Sequence, residues 1–264
     1  MTARRGTYLD RILDHHRGRA ADDSRPVADL RARVSDLEPC RGFASRLRVD
    51  AQSSLAVIAE VKRRSPSKGD LFADLDPAVL ARQYEAGGAS CISVLTDGPH
   101  FGGSVDDLRA ARSAVGLPVL RKDFTAAERD VLDTRLMGAD CILLIAAALD
   151  PSELVDLSGL ALDSGLDVLV EIHDEDELAV ALAAGAQAIG VNQRDLVTFE
   201  VDHARAERMA DVIPDSVVRI AESGVRDTAD AANLRRAGYD AILVGETLVR
   251  SGDPTSALRS LRIA

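Results

Sequence analysis

A glycine, two further residues and then a short apolar run recur along most of this chain. Gly88 precedes Cys91–Leu95, Gly116 precedes Val119 and Leu120, and Gly138 precedes Cys141–Ile145. Gly165 precedes Val168–Val170, Gly185 precedes Ala188–Val191, and Gly238 precedes Ala241–Val244. Glycine just past a helix end takes the left-handed cap, and a compact aliphatic run behind it suits a strand covered on both faces. Ala56–Ala59 supplies a first strand. Val217–Ala221, entered through Pro214 and Asp215, fills the long gap between Gly185 and Gly238.

A helical pattern follows each run, near Pro77–Ala86, Val105–Ala114, Glu128–Met137, Pro151–Ser164, Glu175–Ala183, Asp202–Val212, Asp227–Arg236 and Thr255–Arg262. Eight strand–helix units in roughly 200 residues predict an α/β fold of the (β/α)₈ or TIM-barrel kind over residues 56–264. An open doubly wound sheet is the weaker alternative, because no Gly-x-Gly-x-x-Gly follows a strand.

Residues 1–55 are polar and helical in pattern, an N-terminal helical extension packed on the barrel within a single domain. Leu9, Ile12, Leu13 and His16 share one helical face. Gly18 and Asp22-Asp23-Ser24 break the pattern, and Ser24 is placed to cap a second helix carrying Val27, Leu30 and Val34. Nothing in this segment suggests chemistry.

A barrel gathers its chemistry where the strands end on their C-terminal side. The first strand ends on Glu60 and Lys62, which period two puts on one side with Val61 on the other. Arg63, Arg64, Ser65 and Lys68 follow, with Pro66 and Gly69 marking a loop. The third strand ends on Lys122, the fifth on Glu171, the sixth on Asn192 and the seventh on Glu222. Alternate strands feed the same layer of a barrel, so all four odd strands aim charge at one small space. Desolvating three carboxylates and two ammonium groups is costly unless they pair or do chemistry.

The loops after the seventh and eighth strands, Ser223-Gly224 and Gly245-Glu246-Thr247, carry glycines that let backbone N–H groups approach an oxyanion. Barrels often hold phosphate there, although the Glu246 carboxylate is an objection unless it points away.

Charge and composition restrict the partners. A net charge of −11, 3% aromatic residues and no Trp argue against nucleic acid, which needs a basic face and stacking rings. An anionic substrate would need a local basic pocket. Cys40, Cys91 and Cys141 have no metal or redox spacing. Cys91 and Cys141 lie in strand runs as small hydrophobes, in keeping with a reducing cytoplasm. The longest apolar run, Cys141–Leu149, is too short to span a membrane, and Met1-Thr-Ala-Arg-Arg lacks a signal-peptide core. The expectation is a cytoplasmic monomer with no metal site, no membrane contact and no nucleic-acid partner.

Six stretches carry a resemblance. They are Ile58-Ala-Glu-Val-Lys-Arg-Arg-Ser-Pro-Ser-Lys-Gly69, Phe101-Gly-Gly-Ser104, Leu120-Arg-Lys-Asp-Phe124, Val170-Glu171, Gly190-Val-Asn-Gln-Arg-Asp-Leu196 and Ala221-Glu-Ser-Gly224. The chain resembles the indole-3-glycerol-phosphate synthases, (β/α)₈ carboxy-lyases of tryptophan biosynthesis, over nearly its whole length. The resemblance implies ring closure, decarboxylation and dehydration of 1-(2-carboxyphenylamino)-1-deoxyribulose 5-phosphate. The products are indole-3-glycerol phosphate, carbon dioxide and water, and no metal or organic cofactor is implied.

By the same resemblance Lys122 is the acid that polarises the sugar carbonyl, and Glu171 is the base. Glu60 and Lys62 form a second acid–base pair, while Asn192 and Glu222 orient the substrate and the lysines. Which lysine serves which step stays open. Ser65 and Arg194 match positions near the substrate carboxylate, and Phe101 and Phe124 flank the anthranilate ring. Ser223, Gly224, Gly245 and Glu246 match the phosphate positions.

The chain departs from the family at Thr125-Ala-Ala-Glu-Arg129 and at Gln193. A paralogue serving a specialised indole or tryptophan pathway would carry the same residues. A sugar-phosphate isomerase would not need all five charged groups, and a non-catalytic phosphate-binding barrel would be marked by loss of Lys122 or Glu171.

Overall fold

The computed structural model describes residues 7–65, 69–72, 74–195 and 197–264. Pro66 and Lys68, read from the sequence as part of the loop after the first strand, lie outside them, as does Leu196. Eight parallel strands close into a barrel: β1 (Ala56–Val61), β2 (Cys91–Leu95), β3 (Val119–Lys122), β4 (Cys141–Ile145), β5 (Asp167–Ile172), β6 (Ala188–Asn192), β7 (Val218–Glu222) and β8 (Ala241–Val244). Each pairs with the next, and β8 returns to β1 with Ala56 opposite Ala241.

The strands separate two apolar layers. Val57, Ala59 and Val61 face the surrounding helices. Ala56 and Ile58 face inward, onto Cys91, Leu120, Cys141, Leu169 and Ile220. Cys91 and Cys141 are fully buried in this inner layer, as expected of small hydrophobes.

The helices following the strands lie within two residues of the sequence expectation; the largest shift is the sixth, His203–Ala210, where Asp202 is the cap. The glycine punctuation holds at Gly88, Gly138, Gly165, Gly185 and Gly238, all at positive φ. Gly116 departs from it. The helix before it ends on extended Val115, and Glu85 accepts the Gly116 N–H at 3.0 Å. The carbonyls that the left-handed cap satisfies elsewhere are met here by Arg41, whose guanidinium donates to those of Arg112 and Val115.

Among the described residues three helices precede the barrel: α1 (Tyr8–Asp22), α2 (Val27–Ser35) and α3 (Phe43–Ala51). Ser24 does not cap α2. Pro26 holds that position with no side-chain cap, its ring setting the φ from which the helix starts. No periodic pattern marks α3 in the sequence, since its large buried anchors are two, Phe43 and Leu47. Together with Ala44 they plug the N-terminal mouth of the barrel. The Ala44 N–H donates to Asp167 at 2.8 Å, fixing the plug to the start of β5. Thr7 caps α1, and its buried residues are Ile12 and His16, both on the face expected. No helix among the described residues is long and apolar enough to cross a membrane.

Candidate active site

Glu60 on β1, Lys122 on β3, Glu171 on β5 and Glu222 on β7 meet at the C-terminal mouth. Lys122 Nζ donates to Glu171 Oε2 at 2.8 Å and to Glu222 Oε2 at 2.6 Å. The Asn192 amide donates to the other oxygen of Glu171, also at 2.8 Å, and Asn192 Oδ1 accepts the Arg194 N–H at 3.0 Å. Lys62 lies just past the end of β1 and forms an ion pair with Glu60. The charged groups expected from the odd strands are thus brought together as two ion-paired sets.

All three glutamates are 2–4% exposed. Burial pushes the Glu222 carboxyl up to about 7, with Glu171 and Glu60 adding repulsion that Lys122 only partly offsets. Burial acts the same way on Glu171, but Lys122, His173 and the Asn192 hydrogen bond outweigh it and hold this carboxyl below its ordinary value. Burial disfavours the Lys122 ammonium, yet the two glutamates hold it well above an ordinary lysine. The Lys122 set therefore contains one firmly charged ammonium, one carboxylate and one carboxyl poised near neutrality. Apolar residues of similar volume would serve stability at least as well as such a buried cluster.

Room for it comes from the even strands. A Cβ on Gly190 would lie 2.1 Å from Glu222 Oε1, and one on Gly245 would lie 2.4 Å from Glu60 Oε2. Gly245, assigned from the sequence to phosphate, thus also makes space for Glu60. Gly190 was not singled out, although a glycine inside a strand marks a close approach.

A cavity of about 610 Å³ opens over this layer, and every residue proposed from the sequence lines it. Phe101 and Phe124 form one wall, with ring centroids 6.4 Å apart. Ser65 lies on a two-residue strand paired with Gly69–Asp70. Arg194 also lines the cavity, with its guanidinium donating to the Phe199 carbonyl at 2.8 Å. Tyr8, Leu9 and Ile12 of α1 also line the cavity, as does Phe199, whose ring packs edge-on to Tyr8 at 5.3 Å. Sequence reasoning assigned α1 no part in the site. Its apolar face is indistinguishable in sequence from one that packs on a core.

At the far end Ser223 and Gly224 are consecutive residues at positive φ, +66° and +78°. The Gln193 side chain donates to the Ser223 carbonyl at 2.6 Å, so this departure from the family pattern is a buttress of that turn. A short helix, Glu246–Arg250, starts directly after Gly245. The Glu246 carboxylate lies 3.5 Å from the Arg250 guanidinium, which also lines the cavity and offsets its charge there. The other departure is self-contained. Thr125 donates to the Leu143 carbonyl at 3.0 Å, and Asp130 accepts the N–H groups of Ala126 and Ala127.

Comparison with known proteins gives the same reading. Solved structures share the fold at low identity. One is described as "Native KDPGal structure" (TM-score 0.55, 17% identity, covering 78% of this chain and 92% of that one). Another is the N-acetylmannosamine-6-phosphate 2-epimerase of Clostridium perfringens (TM-score 0.58, 14% identity, 75% and 89%). Sequence relatives are far nearer. The chain is 50% identical to an indole-3-glycerol phosphate synthase of a Nocardioides species, over 89% of each chain. It is 47% identical to that of Chlorobium phaeovibrioides, over 96% of this chain and 97% of the relative. For Rhodopirellula baltica the identity is 46%, over 97% and 98%. The family model for indole-3-glycerol phosphate synthase matches residues 9–261. With that match over nearly every residue and the strand-end charges assembled in one layer, the chain belongs to the indole-3-glycerol phosphate synthase family.

Proposed function

We propose that Lys122 is the proton donor and Glu171 the base through which this chain performs the family's reaction. That reaction is the conversion of 1-(2-carboxyphenylamino)-1-deoxyribulose 5-phosphate to indole-3-glycerol phosphate, carbon dioxide and water. The observation that carries the reading is the ammonium of Lys122 held between Glu171 and Glu222 at the cavity floor.

Ring closure requires the C2 carbonyl of the sugar to accept a proton as the aromatic carbon attacks it. A lysine ammonium fixed by two carboxylates supplies that proton from a defined position. Glu222, near neutrality, can return a proton to Lys122 between steps. Loss of carbon dioxide is followed by loss of a hydroxyl and a proton. Glu171, held ionised and oriented by Asn192, accepts the proton, while the Lys62–Glu60 pair stands ready for the hydroxyl.

The family's substrate carries a phosphate. The turn at Ser223-Gly224 and the helix start at Gly245-Glu246 support placing it there, with backbone N–H groups as donors. Phe101 and Phe124 are suited to the anthranilate ring, with Ser65 and Arg194 toward its carboxylate. On this reading residues 1–55 extend the barrel of 56–264 into one domain. In support, α1 walls the cavity and α3 closes the opposite mouth. The test is formation of the indole chromophore by purified protein from the synthetic substrate. Normal turnover in variants lacking either Lys122 or Glu171 would overturn the assignment of roles.

A further inference from the structure

A second group of titratable side chains meets where α1 touches the loops after β2 and β3. His16 Nε2 and His100 Nδ1 each lie 2.9 Å from Asp97 Oδ2, and Asp123 Oδ1 is 3.8 Å from His16 Nε2. The Asp97 side chain is fully buried, and those of His16 and Asp123 are nearly so. One donor atom each from His16, Asp97 and His100 fall within 4.8 Å of one another. Tertiary folding is needed to make this cluster, because His16 lies 81 residues from Asp97 in the chain. The reaction proposed above uses none of these groups.

We propose that His16, Asp97 and His100, with Asp123 beside them, bind one divalent transition-metal ion of the zinc class and so tie α1 to the loop after β2. Imidazole and carboxylate are the donors such ions favour, and bonds of about 2.0–2.2 Å set tetrahedral neighbours about 3.3 Å apart. The separations of 2.9, 2.9 and 3.8 Å bracket that value.

The donors are also oriented from outside, as metal ligands usually are. Asp97 Oδ1 accepts the N–H groups of His100 at 2.6 Å and Phe101 at 3.2 Å, which leaves Oδ2 aimed at the two rings. Asp123 Oδ2 accepts from Arg121 at 2.8 Å and from Thr96 at 2.5 Å. Asp123 Oδ1 accepts the Phe124 N–H at 2.9 Å and keeps a lone pair toward His16. Arg19 stands 3.4 Å from His16 Nδ1, but its short contact is with Asp130 at 2.6 Å. A guanidinium can only donate, so for His16 Nδ1 to carry the proton when Nε2 binds an ion the half-exposed Arg19 would turn away from it and keep its contact with Asp130.

The ion would take the place of the protons that Asp97 shares with the two rings. Its effect would be mechanical. The His16 ring lies 5.5 Å from that of Phe124, and α1 carries Tyr8, Leu9 and Ile12 to the cavity wall. Clipping α1 down would fix that wall.

The test is titration of tag-free, metal-stripped, full-length protein with zinc and with cobalt(II). The expected result is one ion per chain, a four-coordinate cobalt(II) absorption spectrum and a raised thermal midpoint. Binding should weaken as pH falls, because both imidazoles must give up their protons. His100→Ala and His16→Ala should each weaken it at least about tenfold. His100 is partly exposed, so His100→Ala decides alone should His16→Ala fail to fold. Absence of stoichiometric binding at micromolar zinc overturns the proposal, as does binding that His100→Ala leaves unchanged.

Discussion

Gly190 on β6 and Glu222 on β7 stand so close inside the barrel that one added carbon would displace the carboxylate. A Cβ on Gly190 would lie 2.1 Å from Glu222 Oε1 and 3.2 Å from Leu169 Cδ1. Glu222 in turn is 2.6 Å from Lys122. Gly190→Ala should therefore push Glu222 away from the ammonium without removing a charged group. Misplacing a reacting group by about an ångström can cost about 10²-fold in rate, and a fall in kcat of that order is expected with the barrel still folded by circular dichroism. Wild-type kcat in a folded Gly190→Ala protein would mean that Glu222 need not hold its place.

The barrel was legible because its signal repeats. Strand and helix recur eight times, six of them after a glycine, and an exception such as Gly116 leaves the register intact. The charged layer was legible because Glu60, Lys122, Glu171 and Glu222 fall at equivalent points of alternate strands. Contacts between chemically ordinary residues far apart in sequence were not. Tyr8, Leu9 and Ile12 look like any apolar helix face, and Phe199 like a loop anchor, until folding brings them to one cavity. The short α3 was missed because two anchors four residues apart make no periodic stripe.

The raised Glu222 carboxyl has a consequence for stability. Its folded value of about 7 lies above the ordinary glutamate value of about 4.3. The unfolded chain therefore releases this proton first as pH rises, and the folded state loses relative stability through the window between the two values. Glu222→Gln abolishes that term. The thermal midpoint of Glu222→Gln relative to wild type should climb as pH is raised from about 4.5 to 7 and level off above it. A midpoint difference that stays constant across the series would show that burial does not raise this carboxyl.

The phosphate assignment is tested at Gly224. Its φ is +78°, and a Cβ there would lie 2.6 Å from Val201 Cγ1, so Gly224→Ala should disturb the turn that presents the backbone N–H groups. A loss of ground-state and transition-state binding alike raises KM and spares kcat. A KM increase of roughly tenfold or more is expected, the equivalent of at least about 1.4 kcal/mol. Inorganic phosphate should compete with substrate in wild type and lose potency in the variant. Unchanged KM with unchanged inhibition by phosphate would move the phosphate elsewhere.

Lys122→Met is the sharpest test of the chemistry. Methionine keeps much of the aliphatic stem, so the packing around it should survive. The two glutamates then lose the ammonium between them, and one of them takes up a proton to relieve their repulsion. General acid catalysis typically contributes about 10²–10⁴-fold, and loss of charge stabilisation adds to it. A fall in kcat of roughly three or more orders of magnitude is expected, with a much smaller change in substrate affinity. If Lys122 served only to neutralise Glu171 and Glu222, the variant would show a lowered thermal midpoint and near-normal turnover per folded molecule. Measuring kcat and the midpoint on one preparation separates the two roles, and near-normal turnover would remove Lys122 from the mechanism.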